Sequence, residues 1–279
     1  MIIGSEHVAL SAVLTLKRAG CAIGGLVEEA GTLHTYPSAA RAMARWCGFP
    51  IYSGATVQAI RGMNRVEGVD LLERASGRRR HVPCDTVVIT GRFRPEAALI
   101  AQTGVDEDPF SGGPAVDMRL MTSAAGIYAA GNILRGANMH DLCALEGRQA
   151  AESIVGHLGD REPEPDPEAV VLQPEGAIRF VVPRKILLNR LAGFRTSWHR
   201  PGVSFQTDRT LHNASIEARC GGLTVWRKTY SRILARTTVP LPIERFDWSR
   251  VAGRGAIRLT CRTASDGGCH RPADRRPER

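Results

Sequence analysis

The segment Asp160-Arg161-Glu162-Pro163-Glu164-Pro165-Asp166-Pro167-Glu168 does most to limit what this chain can fold into. Proline fixes φ near about −65° and removes a backbone donor, so neither a helix interior nor a central strand can run through three alternating prolines. The acids between them keep the stretch in water. Residues 160–168 therefore read as a stiff, exposed linker. It divides residues 1–159 from residues 169–262. From 263 to 279 the chain is rich in Gly, Pro, Arg and Asp and has little to bury, which predicts a disordered basic tail.

Before the linker, strand and helix patterns alternate. Ile2-Ile3 reads as a strand end. A helix follows over 6–19, with Val8, Ala9, Ala12, Val13 and Leu16 on one face and Gly20 closing it. Residues 23–27 suit a strand, and 36–47 a helix with Pro37 near its first turn. Residues 50–60, 65–74 and 79–84 suit a short antiparallel set with a turn at Ser76-Gly77. Residues 85–90 read as a buried strand, 126–130 as another, and a helix follows near 142–157. This order implies a parallel sheet with helices on its faces. After the linker, 169–183, 203–210, 214–219, 223–227 and 256–261 suit strands, with Gly221-Gly222 as a hairpin turn. The fold class expected is α/β: a Rossmann-like parallel sheet followed by a small, mainly β domain.

Three motifs carry chemistry. The first is Gly4-Ser5-Glu6-His7-Val8-Ala9, between a strand end and an amphipathic helix. A dinucleotide-binding turn needs a glycine leaving the strand, a small residue where backbone meets pyrophosphate, and a small residue where helix packs on strand. Gly4 and Ala9 suit the first and third roles. Glu6 replaces the middle glycine and would crowd and repel a phosphate unless it points away. The helix N-terminus still offers free N–H groups for an anion. Glu28 and Glu29 end the next strand, where an acid can accept hydrogen bonds from ribose hydroxyls and favour NAD over NADP. Their plain alternative is a pair of solvated residues at a strand end. The second motif is Thr90-Gly91-Arg92, whose glycine lets backbone pass close to a ligand or a neighbouring strand. The third runs from Met121-Thr122 to Ala129-Ala130-Gly131-Asn132. There an apolar segment ends in Gly-Asn before a helix whose N-terminus favours negative charge.

The stretches Arg41-Ala42-Met43-Ala44-Arg45-Trp46, Cys84-Asp85-Thr86-Val87-Val88-Ile89-Thr90-Gly91-Arg92-Phe93-Arg94-Pro95 and Ala129-Ala130-Gly131-Asn132-Ile133-Leu134-Arg135-Gly136 resemble the pyridine nucleotide–disulfide oxidoreductase-like superfamily. His140-Asp141-Leu142-Cys143-Ala144-Leu145-Glu146-Gly147 is similar to the helix that follows. Within that superfamily the chain resembles the FAD subunits of bacterial amine and amino-acid dehydrogenases, including the sarcosine oxidase alpha, opine oxidase and hydrogen cyanide synthase groups. The resemblance covers residues 1–159 and none of 169–279. It implies an NAD(P)-binding domain over 1–95, the C-terminal half of an FAD-binding domain over 96–159, and hydride transfer to flavin from a small-molecule substrate. FAD and NAD are the implied cofactors, and a partner oxidoreductase subunit the implied acceptor. Where the family has Gly-Asp against the ribityl chain, this chain has Gly131-Asn132, whose amide both donates and accepts.

Two departures from the family pattern matter. An FAD-binding strand and its glycine-rich turn are expected before residue 1, so the sequence reads as truncated, misassigned at its start, or completed by a partner. No redox Cys pair is present, so disulfide reduction is not expected.

His140 and Asp141 could face the flavin; as a helix-capping pair, with Asp141 the N-cap, they need no such role. Cys143 suits a core position. No catalytic residue and no metal ligand is assigned. The seven cysteines are scattered and none forms Cys-x-x-Cys, which excludes a zinc ribbon or disulfide framework and suits reduced, cytoplasmic thiols. Net charge is +9, but Arg78-Arg79-Arg80 and Arg275-Arg276 are short runs without interleaved aromatics, so nucleic acid is not an expected partner. Contact with an acidic partner subunit fits better. No apolar run reaches the roughly 20 residues of a membrane span, and no signal peptide is visible.

Overall fold

A computed structural model describes residues 1–91, 93–159, 168–191, 202–251 and 255–262. The chain divides into two compact units, Met1–Phe93 and Arg94–Arg279.

The first unit is built on a parallel sheet in the order β3-β2-β1-β7. Its strands are β1 (Ile2–Ile3), β2 (Leu26–Glu28), β3 (Ile51–Ser53) and β7 (Val88–Ile89). Helix α1 (His7–Arg18) connects β1 to β2, and α2 (Pro37–Cys47) connects β2 to β3. Both helices bury small residues, Ala9 and Val13 from α1 and Ala40 and Ala44 from α2, against Ile2 and Leu26. Small residues let helix and strand backbones approach closely. Full burial of an aliphatic side chain such as Ile2 or Leu26 contributes about 1.5–3 kcal/mol. Val8 falls off the apolar face and is 42% exposed. Pro37 occupies the first turn of α2, where its missing N–H costs nothing.

A second sheet in this unit is antiparallel, with β4 (Ala55–Arg61), β5 (Gly68–Glu73) and β6 (Arg79–Pro83) in the order β4-β5-β6. The expected strand 50–60 is therefore two strands: β3 joins the parallel sheet, and the chain turns at Gly54 into β4. The buried strand expected at 85–90 shrinks to β7. It is the edge of its sheet, and Ile89 is 70% exposed.

The second unit begins with a short helix, α3 (Ala98–Ala101), and includes the long helix α4 (His140–Gly159). The strand expected at 126–130 does not form. Among the described residues the segment makes only the single bridge Met121↔Tyr128. Its backbone groups instead close a tight loop on Thr122, which donates from N to Ile127 O at 2.9 Å and from Oγ1 to Ile127 O at 2.9 Å. An apolar run becomes a strand only where a partner ladder takes up its backbone groups.

The β strands follow: β8 (Ala169–Pro174), β9 (Ile178–Val182), β10 (Lys185–Leu187), β11 (Val203–Thr207), β12 (Leu211–Cys220), β13 (Leu223–Ile233), β14 (Val239–Leu241) and β15 (Ile257–Arg262). They form a five-stranded sheet, β10-β8-β15-β12-β13, and a three-stranded one, β14-β11-β9. The single strand expected over 169–183 is broken at Gly176 into β8 and β9, which lie in different sheets. β12 and β13 meet at the two-residue turn Gly221-Gly222, as their sequence implies. Phe205, Leu172, Ile216 and Ile186 fill the core, and Trp226 stacks on Phe246 with ring centroids 5.7 Å apart. Residues 94–159 and the β strands also share a core, in which Val116, Leu120 and Leu134 pack with Phe180 and Val182. This is an α/β chain with a Rossmann-like parallel sheet and further β sheets. The Pro-rich linker, the tail 263–279 and Trp198-His199-Arg200 lie outside the described residues, apart from Glu168 of the linker.

Candidate functional sites

In the first unit, Gly4, Glu28 and Thr90-Gly91 stand at or just beyond the carboxyl ends of three adjacent parallel strands. In such sheets ligands bind in the crevice outside those ends. Gly4 has φ +121°, and a Cβ there would lie 2.3 Å from Thr90 Oγ1 and 2.8 Å from Thr90 O. Only glycine permits that approach. Gly91 has φ +78°, and a Cβ there would lie 2.6 Å from Glu6 Oε1.

Glu6 does not point away from this turn. Its Oε2 accepts from Ser5 N at 2.9 Å, and its Oε1 is buried without a hydrogen-bond partner. The carboxylate thus occupies the space between the two glycines, where a phosphate would have to approach. Ser5 is buried; its hydroxyl donates to Glu28 and accepts from His34 N at 2.9 Å. Glu28 is also buried, accepting from Ala30 N at 2.9 Å with His34 Nδ1 at 3.4 Å. Its oxygens therefore serve the turn itself. Glu29 stands apart on the surface, 3.5 Å from Arg74. Arg92 lies outside the described residues.

In the second unit, Gly131-Asn132 open a short 3-10 turn, Gly131–Leu134, ahead of α4. Gly131 N donates to Glu146 Oε2 at 2.8 Å. The same carboxylate pairs with Arg135, and both side chains are almost fully buried. α4 therefore grips the turn from inside. Asn132 is exposed, but its Oδ1 is engaged: it accepts from Asn138 N at 3.0 Å and from Cys143 Sγ at 3.3 Å. The amide nitrogen of this exposed side chain makes no hydrogen bond among the described residues. Burial, then the nearby Glu146 carboxylate, push the Cys143 thiol above its ordinary pKa, so it stays protonated at neutral pH. His140 is exposed at the first position of α4. Asp141 is not the N-cap, because the helix begins one residue earlier; its Oδ1 accepts from Leu142 N at 2.9 Å within the first turn.

Gly131, Asn132 and His140 are thus gathered at one helix end, and Gly4, Ser5, Glu6, Glu28, Thr90 and Gly91 at one sheet end. Sequence reasoning missed the roles of Glu146 and Arg135. A charged residue inside a largely small and apolar helix segment, eleven residues after an arginine, was the available signal. Among the described residues no group of three His, Cys, Asp or Glu side chains could hold a metal ion. No helix is long and apolar enough to cross a membrane.

No family model matches the chain. Among solved structures it is similar to a thioredoxin reductase from T. acidophilum, at 22% identity and a TM-score of 0.50 over 57% of this chain and 52% of that one. It is also similar to an FAD-dependent pyridine nucleotide-disulphide oxidoreductase from Desulfovibrio vulgaris, at 20% identity and TM-score 0.45 over 56% and 42% of the two chains. A ferredoxin reductase from Rhodopseudomonas palustris matches at 20% identity and TM-score 0.46 over 74% and 52%. The chain spans about half the length of these structures. The thioredoxin reductase match bears on the fold alone, a mixed α/β chain with a Rossmann-like parallel sheet.

Proposed function

We propose that this chain is a subunit or fragment of an FAD-dependent oxidoreductase that dehydrogenates an amine or amino-acid-like substrate. The observation that carries this reading is the Gly131-Asn132 turn, fixed from within by Glu146 of α4 and lying a short loop ahead of that helix. Its residues fit the group. Asn132 has its amide nitrogen unengaged, and although Gly131 N is taken by Glu146, the next backbone N–H groups of the turn, Asn132 and Ile133, have no intrahelical acceptor. Gly131 and Asn132 would hold FAD, which supplies the hydride acceptor when bound. His140 adds an exposed imidazole ring at the start of α4. A partner oxidoreductase subunit that completes the flavin site and takes the electrons belongs to this reading.

NAD fits less well. The first turn accepts a dinucleotide phosphate only after the Glu6 carboxylate leaves Ser5 N, so no step is assigned to NAD.

The test is the absorbance spectrum of the purified protein, alone and after incubation with FAD. Bound flavin gives a yellow protein, and Asn132→Ala weakens its retention. A preparation that stays colourless with added FAD, in isolation and with its co-purifying partner, refutes the reading.

One observation favours a second reading. Glu6 already fills the phosphate turn, and the chain's positive charge is concentrated in the β region, where residues 169–262 hold 17 Lys and Arg against 5 Asp and Glu. On this reading the chain is a non-catalytic module that binds an acidic partner subunit. Micromolar binding of NAD by isothermal titration counts against it.

A further inference from the structure

We infer that Arg179 and Arg236, with Asn138 and Thr207 beside them, form a binding site for a small oxyanion, the carboxylate or phosphate group of a soluble ligand. Two local irregularities bring these arginines to one place. In the β9–β11 ladder Gln206 faces Phe180 and Thr207 faces Ile178, so Arg179 is the extra, bulged residue. Bulges re-aim a side chain out of the regular alternation. Arg236 has φ +57°, a left-handed conformation that a long side chain adopts only when its surroundings impose it. Its N–H donates to Thr207 O at 3.0 Å, which ties Arg236 to the bulged end of β11.

The groups gathered there lack acceptors. Arg236 Nε, Thr207 Oγ1 and Asn138 Nδ2 are each buried without a hydrogen-bond partner, and Thr207 is 0% exposed. Arg179 is half-buried, lying over the Phe180 ring at 5.3 Å. Burial, then the positive charges of Arg236 and Arg94, push its guanidinium below the ordinary arginine pKa. Among the described residues no carboxylate pairs with Arg94, Arg179 or Arg236; Asp208, the residue after Thr207, pairs with Arg209 at 3.7 Å. Like charges held close and partly desolvated are unfavourable until an anion joins them. Guanidinium forks match the two oxygens of a carboxylate or phosphate.

The site is also wired to the Gly131-Asn132 turn. Gln206 Nε2 donates to Thr238 Oγ1 at 3.1 Å, Thr238 Oγ1 donates to Asn138 Oδ1 at 3.1 Å, and Asn138 N donates to Asn132 Oδ1 at 3.0 Å. An anion held by Arg179 and Arg236 therefore lies one hydrogen-bonded chain away from Asn132. The inference does not depend on flavin.

The experiment is isothermal titration and thermal denaturation of the full chain at fixed ionic strength, using inorganic phosphate in one arm and succinate in the other. Binding of one probe more tightly than the other assigns the ligand class. Two variants test the site: Arg179→Gln, and Arg236→Gly, which suits the left-handed backbone and so preserves the fold. Arg258→Gln, an exposed arginine on β15, is the control for general charge. Supporting results are saturable binding by the parent and the control, with at least a tenfold loss in both site variants. Absence of saturable binding of either probe to the parent overturns the inference. So does equal binding by the parent and both site variants, which marks general charge attraction.

Discussion

Replacing Glu6 by glycine should convert the first turn into a working dinucleotide seat. Glu6 Oε2 now accepts from Ser5 N, the kind of donor that a pyrophosphate would use, and Oε1 lies between Gly4 and Gly91. A phosphate arriving within about 4 Å of this carboxylate meets a repulsion of roughly 1 kcal/mol at the dielectric of water and roughly 4 kcal/mol at the effective dielectric of a protein surface. Glu6 is half-buried, so the penalty falls between these limits. At 1.4 kcal/mol per factor of ten, its removal should tighten NAD binding about fivefold to about a thousandfold. Glu6→Gln removes the charge and keeps the volume; Glu6→Gly removes both. Glycine is tolerated at this helix N-cap position at a cost of only about a few tenths of a kcal/mol. The assay is NADH fluorescence titration of the parent and both variants at low salt, with circular dichroism to confirm folding. An ordering of Gly, then Gln, then parent supports the argument. If neither folded variant binds NADH more tightly than the parent, this turn is not a nucleotide site and the electrostatic reasoning is wrong.

Other expectations follow from the same structure. Glu146→Ala leaves Arg135 buried without its partner and frees Gly131 N, so it should destabilise the chain by about 3–5 kcal/mol, seen as a lower midpoint in urea. Gly91→Ala sets a Cβ 2.6 Å from Glu6 Oε1 at a left-handed φ, and should lower stability by about 1–2 kcal/mol from backbone strain alone; the double variant Glu6→Gly, Gly91→Ala should lose less than Gly91→Ala does relative to its own parent. Cys143, whose thiol is pushed above its ordinary pKa by burial and by Glu146, should react slowly with iodoacetamide at pH 7. Because its folded-state value is the higher one, its contribution is intact below the unfolded pKa and is lost as pH rises through the folded value, so stability should fall in the alkaline range.

Much of the first unit was legible because its signals are local. Gly20 after an amphipathic run, Pro37 in a first turn and Ser76-Gly77 between two alternating stretches each act on a few neighbouring residues. The failures had non-local causes. Residues 126–130 have the composition of a strand, yet composition does not reveal that among the described residues Met121 alone bridges them, through Tyr128. At its strand end Glu28 suits either a ribose acceptor or a solvated residue; that it is buried and bonded to Ser5 and Ala30 depends on how the turn folds back, which the local pattern does not carry. The Arg179 bulge was hidden because it depends on the register between β9 and β11, which neither strand encodes alone. Gly131-Asn132 was readable as a motif, while its anchor lay a helical stretch away, at Glu146.

That anchor has a consequence for any molecule that settles against the turn. Glu146 and Arg135 are buried and joined, so Gly131 is held in place before a ligand arrives. A loop that orders only on binding loses conformational freedom at that moment, about 1–2 kcal/mol for each backbone residue fixed. Here that loss occurs when the chain folds. Association at Gly131-Asn132 should therefore be limited by encounter and desolvation, with little entropy of loop ordering left to oppose it.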